Sequence, residues 1–260
     1  MNAIAQFRAT LAVNAFLIVG SLYYASVAAV TGWFDAASPV PYRCARRWAG
    51  WLIRLAGIRI DLEFEDELAT GSSSRGRPTS SQAQRAEAEK FVFFANHQSL
   101  YDIPVLLHTL PQDARFLAKK SLFSIPIFGF AMRKAGFVPV DRGAGASAAK
   151  AALRAASDQL ADGHSILLFP EETRSLTGKI LPFKTGGVLI ALRAGVRIVP
   201  VGLSGVGRVR PKGSVLMRPG PVRVRYGTPI DPRDFGVRGK RELLDVLRGE
   251  VARLSGEELQ

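Results

Sequence analysis

Cysteine is nearly absent. Cys44 stands alone in 260 residues, which excludes an internal disulfide and any metal cluster built on cysteine. Histidine is scarce too: His97, His108 and His164 show no metal-ligand spacing, so neither a metal nor another cofactor is expected. Nucleotide-binding loops are missing. Gly205-Val206-Gly207-Arg208 does not complete a dinucleotide turn, and Gly178-Lys179 lacks the upstream glycine of a phosphate loop. Acids are outnumbered, 22 Asp and Glu against 35 Lys and Arg, for a net charge of +13. Such a surplus points to anionic partners: nucleic acid, a membrane surface or acidic substrates. A nucleic-acid module would draw on Arg208, Arg210, Arg223 and Arg225, but those stretches lack interleaved aromatics and any known fingerprint. Nucleic acid is therefore not the expected partner.

Charge itself is missing from Ala9 to Phe34. That stretch exceeds the about 20 apolar residues that cross a bilayer core. Asn14, Ser21, Ser26 and Thr31 dilute it, so spanning and re-entrant helices both stay open. Ala-Ser-Val-Ala-Ala at 25–29 also resembles a signal-peptide cleavage site, yet Arg8 makes a weak n-region and Trp33-Phe34 reads as an interface anchor. A retained membrane anchor is the expectation. From Tyr42 to Gly57, helical spacing puts Arg43, Arg46, Arg47 and Arg54 on one face, with Trp48, Trp51, Leu52 and Leu55 opposite. This fits a basic amphipathic helix on an anionic membrane, or a helix docked on the core with a solvated basic face. The arginine excess over the segment before Ala9 places the downstream chain on the cytoplasmic side of the cytoplasmic membrane.

Ile58 to Glu65 alternates as a half-wet strand does, and Ala69 to Lys90 is a polar insert expected to be a mobile loop. Beyond it, apolar runs predict strands at Phe91–Ala95, Phe137–Val140, Ile166–Phe169 and Ile198–Leu203. Helical patterns cover Ile103–Leu110, Ile127–Ala135, Ser147–Asp162, Gly187–Arg193 and Lys240–Leu254. Ser214–Met217 and Val222–Tyr226 flank Arg-Pro-Gly-Pro and read as a hairpin. The fold class is α/β, one domain over 58–260 with a mostly parallel or mixed sheet flanked by helices. Residues 1–57 precede it as an N-terminal membrane-anchoring helical segment, and 68–90 form the loop.

The chain is organised around Phe91 to Asp102. An apolar run ends in Asn-His-Gln-Ser and turns helical at Leu100, the strand-to-helix crossing that faces the ligand crevice in open α/β folds. Asp102 follows His97 by five positions, so the carboxylate can fold back on the imidazole, fix its tautomer and leave the other nitrogen free to take a proton. The same residues read equally as a capping box, Ser99-x-x-Asp102, with His97 at the rim. Other strand ends carry polar clusters: Asp141-Arg142, Glu171-Glu172-Thr173-Arg174-Ser175, and Lys184 before Thr185-Gly186-Gly187.

Together these segments resemble the glycerolipid acyltransferase family, typified by 1-acylglycerol-3-phosphate acyltransferase. Asn96 to Asp102 is similar to its Asn-His-x4-Asp signature, and Lys119-Lys120-Ser121-Leu122 with Pro126 and Gly129 resembles the following segment. Gly136 to Arg142 is similar to the second motif. Phe169 to Ser175 matches the third, Phe-Pro-Glu-Gly-Thr-Arg-Ser, except at Glu172, and Ile198-Val199-Pro200-Val201 resembles the fourth. The resemblance implies acyl transfer from acyl-CoA or acyl-carrier protein to a lysophospholipid hydroxyl. It makes His97 the general base and Asp102 its orienting acid, with direct attack on the thioester. It also implies that Arg142, Glu171, Thr173 and Arg174 shape the acceptor site, the arginines on phosphate. Glu172 puts an acid where the family has Gly, which leaves lyso-aminolipid acceptors open.

Overall fold

The computed structural model describes residues 3–35, 38–65, 89–141, 145–211, 213–236 and 238–260. Apart from Glu89 and Lys90, the polar insert lies outside these, as does Arg142. The fold is α/β, with one seven-stranded mixed sheet in the order β1-β7-β6-β2-β5-β3-β4. The strands are β1 (Ile58–Phe64), β2 (Phe91–Ala95), β3 (Ala114–Lys119), β4 (Val138–Val140), β5 (Ser165–Leu168), β6 (Arg197–Ser204) and β7 (Gly220–Tyr226). Five of them, β6-β2-β5-β3-β4, run parallel; β7 is antiparallel to β6 and parallel to β1.

β2 lies at the centre because every one of its residues is apolar and buried. Its side chains alternate between faces. Phe91, Phe93 and Ala95 join Leu52, Val105 and Leu106 in one cluster, while Val92 and Phe94 join Val188, Leu243 and Leu247 in the other. Each large apolar side chain so buried contributes about 1.5–3 kcal/mol relative to exposure.

The first helix, α1 (Ala3–Phe34), takes in the whole charge-free run and is long and apolar enough to cross a membrane. Val13, Ala25 and Ala28 are buried against the protein, whereas Ile18, Leu22, Val30, Trp33 and Phe34 stay exposed. The second, α2 (Val40–Leu55), does not offer its apolar face to a lipid surface. Leu52 and Ile53 enter the main core, Trp48 donates its indole N–H to Ser21 Oγ at 2.9 Å, and Tyr42 Oη accepts the Ala114 N–H at 3.0 Å. The docked alternative is therefore the correct one for that face; Trp51, under the Arg54 guanidinium, remains outside with the arginines.

The predicted hairpin is also corrected. No strand forms at 214–217, where Met217 is fully buried and donates its N–H to Thr10 Oγ1 at 3.0 Å. β7 pairs instead with β6 and β1. Across β1 and β7, Arg223 pairs with Asp61 and Arg225 with Glu63, which withdraws two of the four arginines a nucleic-acid surface would need.

Candidate active site

The loop after β2 is built from side chains that substitute for backbone partners. Asn96 donates to the Leu203 carbonyl at 2.9 Å and accepts the Leu203 N–H at 2.8 Å, extending the β2–β6 ladder by one side chain. The chain then turns into α3 (Asp102–Thr109), whose first residue is fully buried. A single Asp102 oxygen, Oδ2, accepts from the Gln98 and Ser99 N–H groups at 2.7 and 2.8 Å and lies 2.7 Å from His97 Nδ1. Only half of the capping box forms, since Ser99 Oγ donates to the Arg210 carbonyl at 2.8 Å and accepts the Tyr101 N–H at 3.2 Å instead of the Asp102 N–H; the acid that ties the loop also holds the imidazole. With Nδ1 donating to the carboxylate, Nε2 is the nitrogen left to accept a proton. The His97 ring stacks on Phe169, centroids 4.0 Å apart and planes 16° from parallel, so ring rotation is blocked from one side.

The loop after β5 closes the site from the other direction. Ser175 donates its N–H to the His97 carbonyl at 2.9 Å. Glu171, 4% exposed, accepts the His97 N–H on Oε1 at 2.7 Å and the Leu181 N–H on Oε2 at 3.0 Å. Each oxygen holds one N–H and keeps a further lone pair, so Glu171 positions the backbone that carries His97 without excluding the acceptor-site role that the resemblance implies. Burial, with Asp102 nearby, pushes its carboxyl up to about 7, while the two N–H groups oppose that rise. Nothing in the motif letters signals this task; the bond spans 74 residues.

Thr173 is exposed and Arg174 half-buried, both on the same loop. Lys184 is exposed, and its N–H donates to the Pro170 carbonyl at 2.8 Å. Asp141 pairs with Lys120 at 3.0 Å. Glu172 has φ +58°, a left-handed conformation that glycine adopts without strain. The Gly that the resembled motif has at this place would relieve that conformation, so the departure at Glu172 is one of backbone geometry as well as of charge.

Two expected outcomes follow here. Glu171→Gln keeps the shape but sets an N–H₂ against a backbone N–H, so it should cost about 1–3 kcal/mol in melting experiments and lower turnover with the acceptor KM held. A raised KM at constant turnover would instead show a direct acceptor contact. Because the folded carboxyl titrates near 7 against 4.5 unfolded, the cost of burying its charge is full above pH 7. Stability from this group therefore rises as pH falls from about 7 towards 4.5, and urea titrations of the Gln variant should lose that slope. Glu172→Gly should stabilise by up to about 1 kcal/mol, the left-handed penalty less the glycine entropy cost, with the acceptor KM unchanged or lower.

Beside the loop, an apolar cavity of about 350 Å³ runs between α1, α2 and α3. Leu17, Trp48, Leu107 and Phe137 line it, and it reaches Leu100, Tyr101 and Arg210 next to His97's loop.

A family model described as Acyltransferase matches residues 77–204. A chloroplastic 1-acyl-sn-glycerol-3-phosphate acyltransferase of Brassica napus is 40% identical over 62% of this chain and 45% of its own length. The Salmonella typhimurium protein of the same activity name is 33% identical over 61% of this chain and 65% of its own. The matched part of the chain thus spans about half the length of the plant relatives. A crystal structure of the 1-acyl-sn-glycerophosphate acyltransferase from Thermotoga maritima superposes over 100% of both chains, with TM-score 0.74 and 25% identity.

Proposed function

We propose, for a chain that belongs to the glycerolipid acyltransferase family, that it transfers a fatty acyl group to the free hydroxyl of a lysophospholipid. The acceptor we assign is 1-acyl-sn-glycerol-3-phosphate, giving phosphatidic acid, and the donor is acyl-CoA or acyl-carrier protein. The observation that carries this reading is the His97–Asp102 pair at 2.7 Å, buried, stacked and with one ring nitrogen left over.

The chemistry follows from that pair. His97 Nε2 takes the acceptor hydroxyl proton as the oxygen attacks the thioester carbonyl, and Asp102 stabilises the imidazolium that forms. The tetrahedral intermediate collapses to the ester. The thiolate leaves with the proton that His97 returns, so no covalent acyl-enzyme is needed and no cofactor takes part. Arg174, half-buried on the loop after β5, would meet the acceptor phosphate, a group that a guanidinium suits. Thr173 shares the loop, and Arg142 lies outside the described residues.

The apolar cavity fits an acyl chain by its lining: aliphatic and aromatic side chains with the arginine at one end. Membrane association is supported by the exposed apolar row of α1, and the α2 arginines favour the cytoplasmic face. The test offers purified full chain a mixture of lysolipids with each donor in turn and reads products by mass spectrometry. Phosphatidic acid should dominate. Acylation confined to a lyso-aminolipid would overturn the acceptor, and no acylation at all would overturn the reaction.

A further inference from the structure

A second cavity flanks the catalytic loop, and its chemistry is the opposite of the first. It encloses about 370 Å³ between the loops after β2 and β5 and the short helix α7 (Val206–Val209). Gln98, Ser175, Thr177, Gly207, Arg208 and Glu257 are in its wall. Two of these, Arg208 and Ser175, point to an anion. Arg208 is exposed and its guanidinium has no ion-pair or hydrogen-bond partner among the described residues, unlike those of Arg223 and Arg225 on the neighbouring strand. Ser175 is 5% exposed, yet its Oγ has no hydrogen-bond partner. A buried hydroxyl left unpaired costs free energy unless a ligand or solvent meets it. Gln98 is fixed by donating Nε2 to the Gly178 carbonyl at 3.0 Å. A Cβ on Gly207 would stand 3.3 Å from Gln98 Oε1, so the glycine keeps that wall open. The acid of the wall, Glu257, sits on the Gly178 side, where its Oε2 is 3.6 Å from the place of a Cβ.

The position matters as much as the composition. Gln98 follows His97 directly, and Ser175 holds the His97 carbonyl, so an occupant lies against the loop that carries the base. Arg208 and Arg210, two residues apart, each reach a different cavity: Arg208 the polar one, Arg210 the apolar one. A substrate with an apolar tail and a phosphate could lie across the loop with one end in each.

We infer that the polar cavity is a phosphate-ester subsite in which Arg208 supplies the charge and Ser175 Oγ a hydrogen bond. The inference rests on the acyl-transfer reading only for the source of the phosphate. Two sources share this chemistry: the phosphate of the lysophospholipid acceptor, and the phosphodiester in the pantetheine arm of the donor.

Inorganic phosphate is the first probe, titrated calorimetrically into full-length protein carrying His97→Ala, so that binding is read without turnover. Arg208→Gln in that background should weaken binding about tenfold or more, and Ser175→Ala about threefold, both with unchanged melting temperature. The same substitutions in active protein then separate the sources. A raised acceptor KM with steady kcat assigns the cavity to the acceptor, and a raised donor KM assigns it to the pantetheine arm. Arg208→Lys should recover part of either loss. Phosphate binding indifferent to Arg208→Gln, or neither KM moving, would overturn the subsite. Wild-type protein that binds phosphate through Arg208 but acylates nothing would instead overturn the proposed function and leave the subsite standing.

Discussion

His97→Ala is expected to lose about two to four orders of magnitude in turnover, the usual worth of a positioned general base. Asp102→Asn should fall steeply as well, because an amide cannot stabilise the imidazolium that Nδ1 shares with Oδ2 at 2.7 Å. With both residues serving one proton transfer, as proposed, the double variant should be little worse than His97→Ala alone. The two substitutions differ in stability. Asp102 also receives the Gln98 and Ser99 N–H groups on the same oxygen, so Asp102→Asn should cost about 1 kcal/mol or more in melting, as loss of a cap does. His97→Ala should leave a folded protein. Additive losses in the double variant would contradict a shared step, and equal melting temperatures for wild type and Asp102→Asn would remove the capping role.

Deleting residues 1–57 should abolish the fold rather than merely release the protein from membranes. The segment is not an appendage: Tyr42, Leu52 and Ile53 are buried in the main cluster with Val105, Leu106 and Phe116. Each such burial is worth about 1.5–3 kcal/mol. Together with the Ala114 N–H that Tyr42 accepts, their loss rivals the about 5–15 kcal/mol by which ordinary domains are stable. Circular dichroism and near-ultraviolet spectra of the truncated chain should show lost tertiary packing. A truncated chain that melts cooperatively near the full-length temperature would mean that the α/β part stands alone from Ile58. By contrast, Ile18→Ser with Leu22→Ser alters only exposed positions, so it should preserve melting and weaken flotation with anionic vesicles.

Much of the architecture was legible because apolar runs mark buried strands. Phe91 to Ala95 could be read at once, and so could the switch to a helix near Leu100 that sets His97 at the crevice. β3 was not, since Arg115 interrupts Ala114–Lys119 in a way that reads as surface. Its cation is buried over the Tyr42 ring at 4.5 Å, a contact that periodicity does not encode. The hairpin expected at 214–226 failed for a related reason. Turn letters predict a reversal but not which strand the next segment joins, and β7 found β6 and β1. The arginine stripe of α2 was correctly placed outside, while the destination of its apolar face depended on the core that α3 offers.

At the site, spacing revealed the His97–Asp102 pair because both partners lie within one turn of chain. It could not reveal Glu171's hold on the His97 N–H, which joins the loops after two adjacent strands 74 residues apart in sequence. The departure at Glu172 looked chemical in the sequence, and its φ of +58° makes it conformational as well. Arg208 and Ser175 carried no signal as a pair, for their common cavity exists only once α7 meets the loop after β5.

Direct acyl transfer driven by His97, as proposed, is open to a time-resolved mass measurement. Full-length protein is mixed with 1-acyl-sn-glycerol-3-phosphate and a thioester donor, quenched at intervals, and both lipid and intact protein are weighed. Phosphatidic acid should accumulate from the first turnover while the protein mass stays constant, and folded His97→Ala protein should make almost none. An acylated form of the chain that appears before product and decays into it would contradict direct attack, and near-wild-type product formation by folded His97→Ala protein would contradict the base.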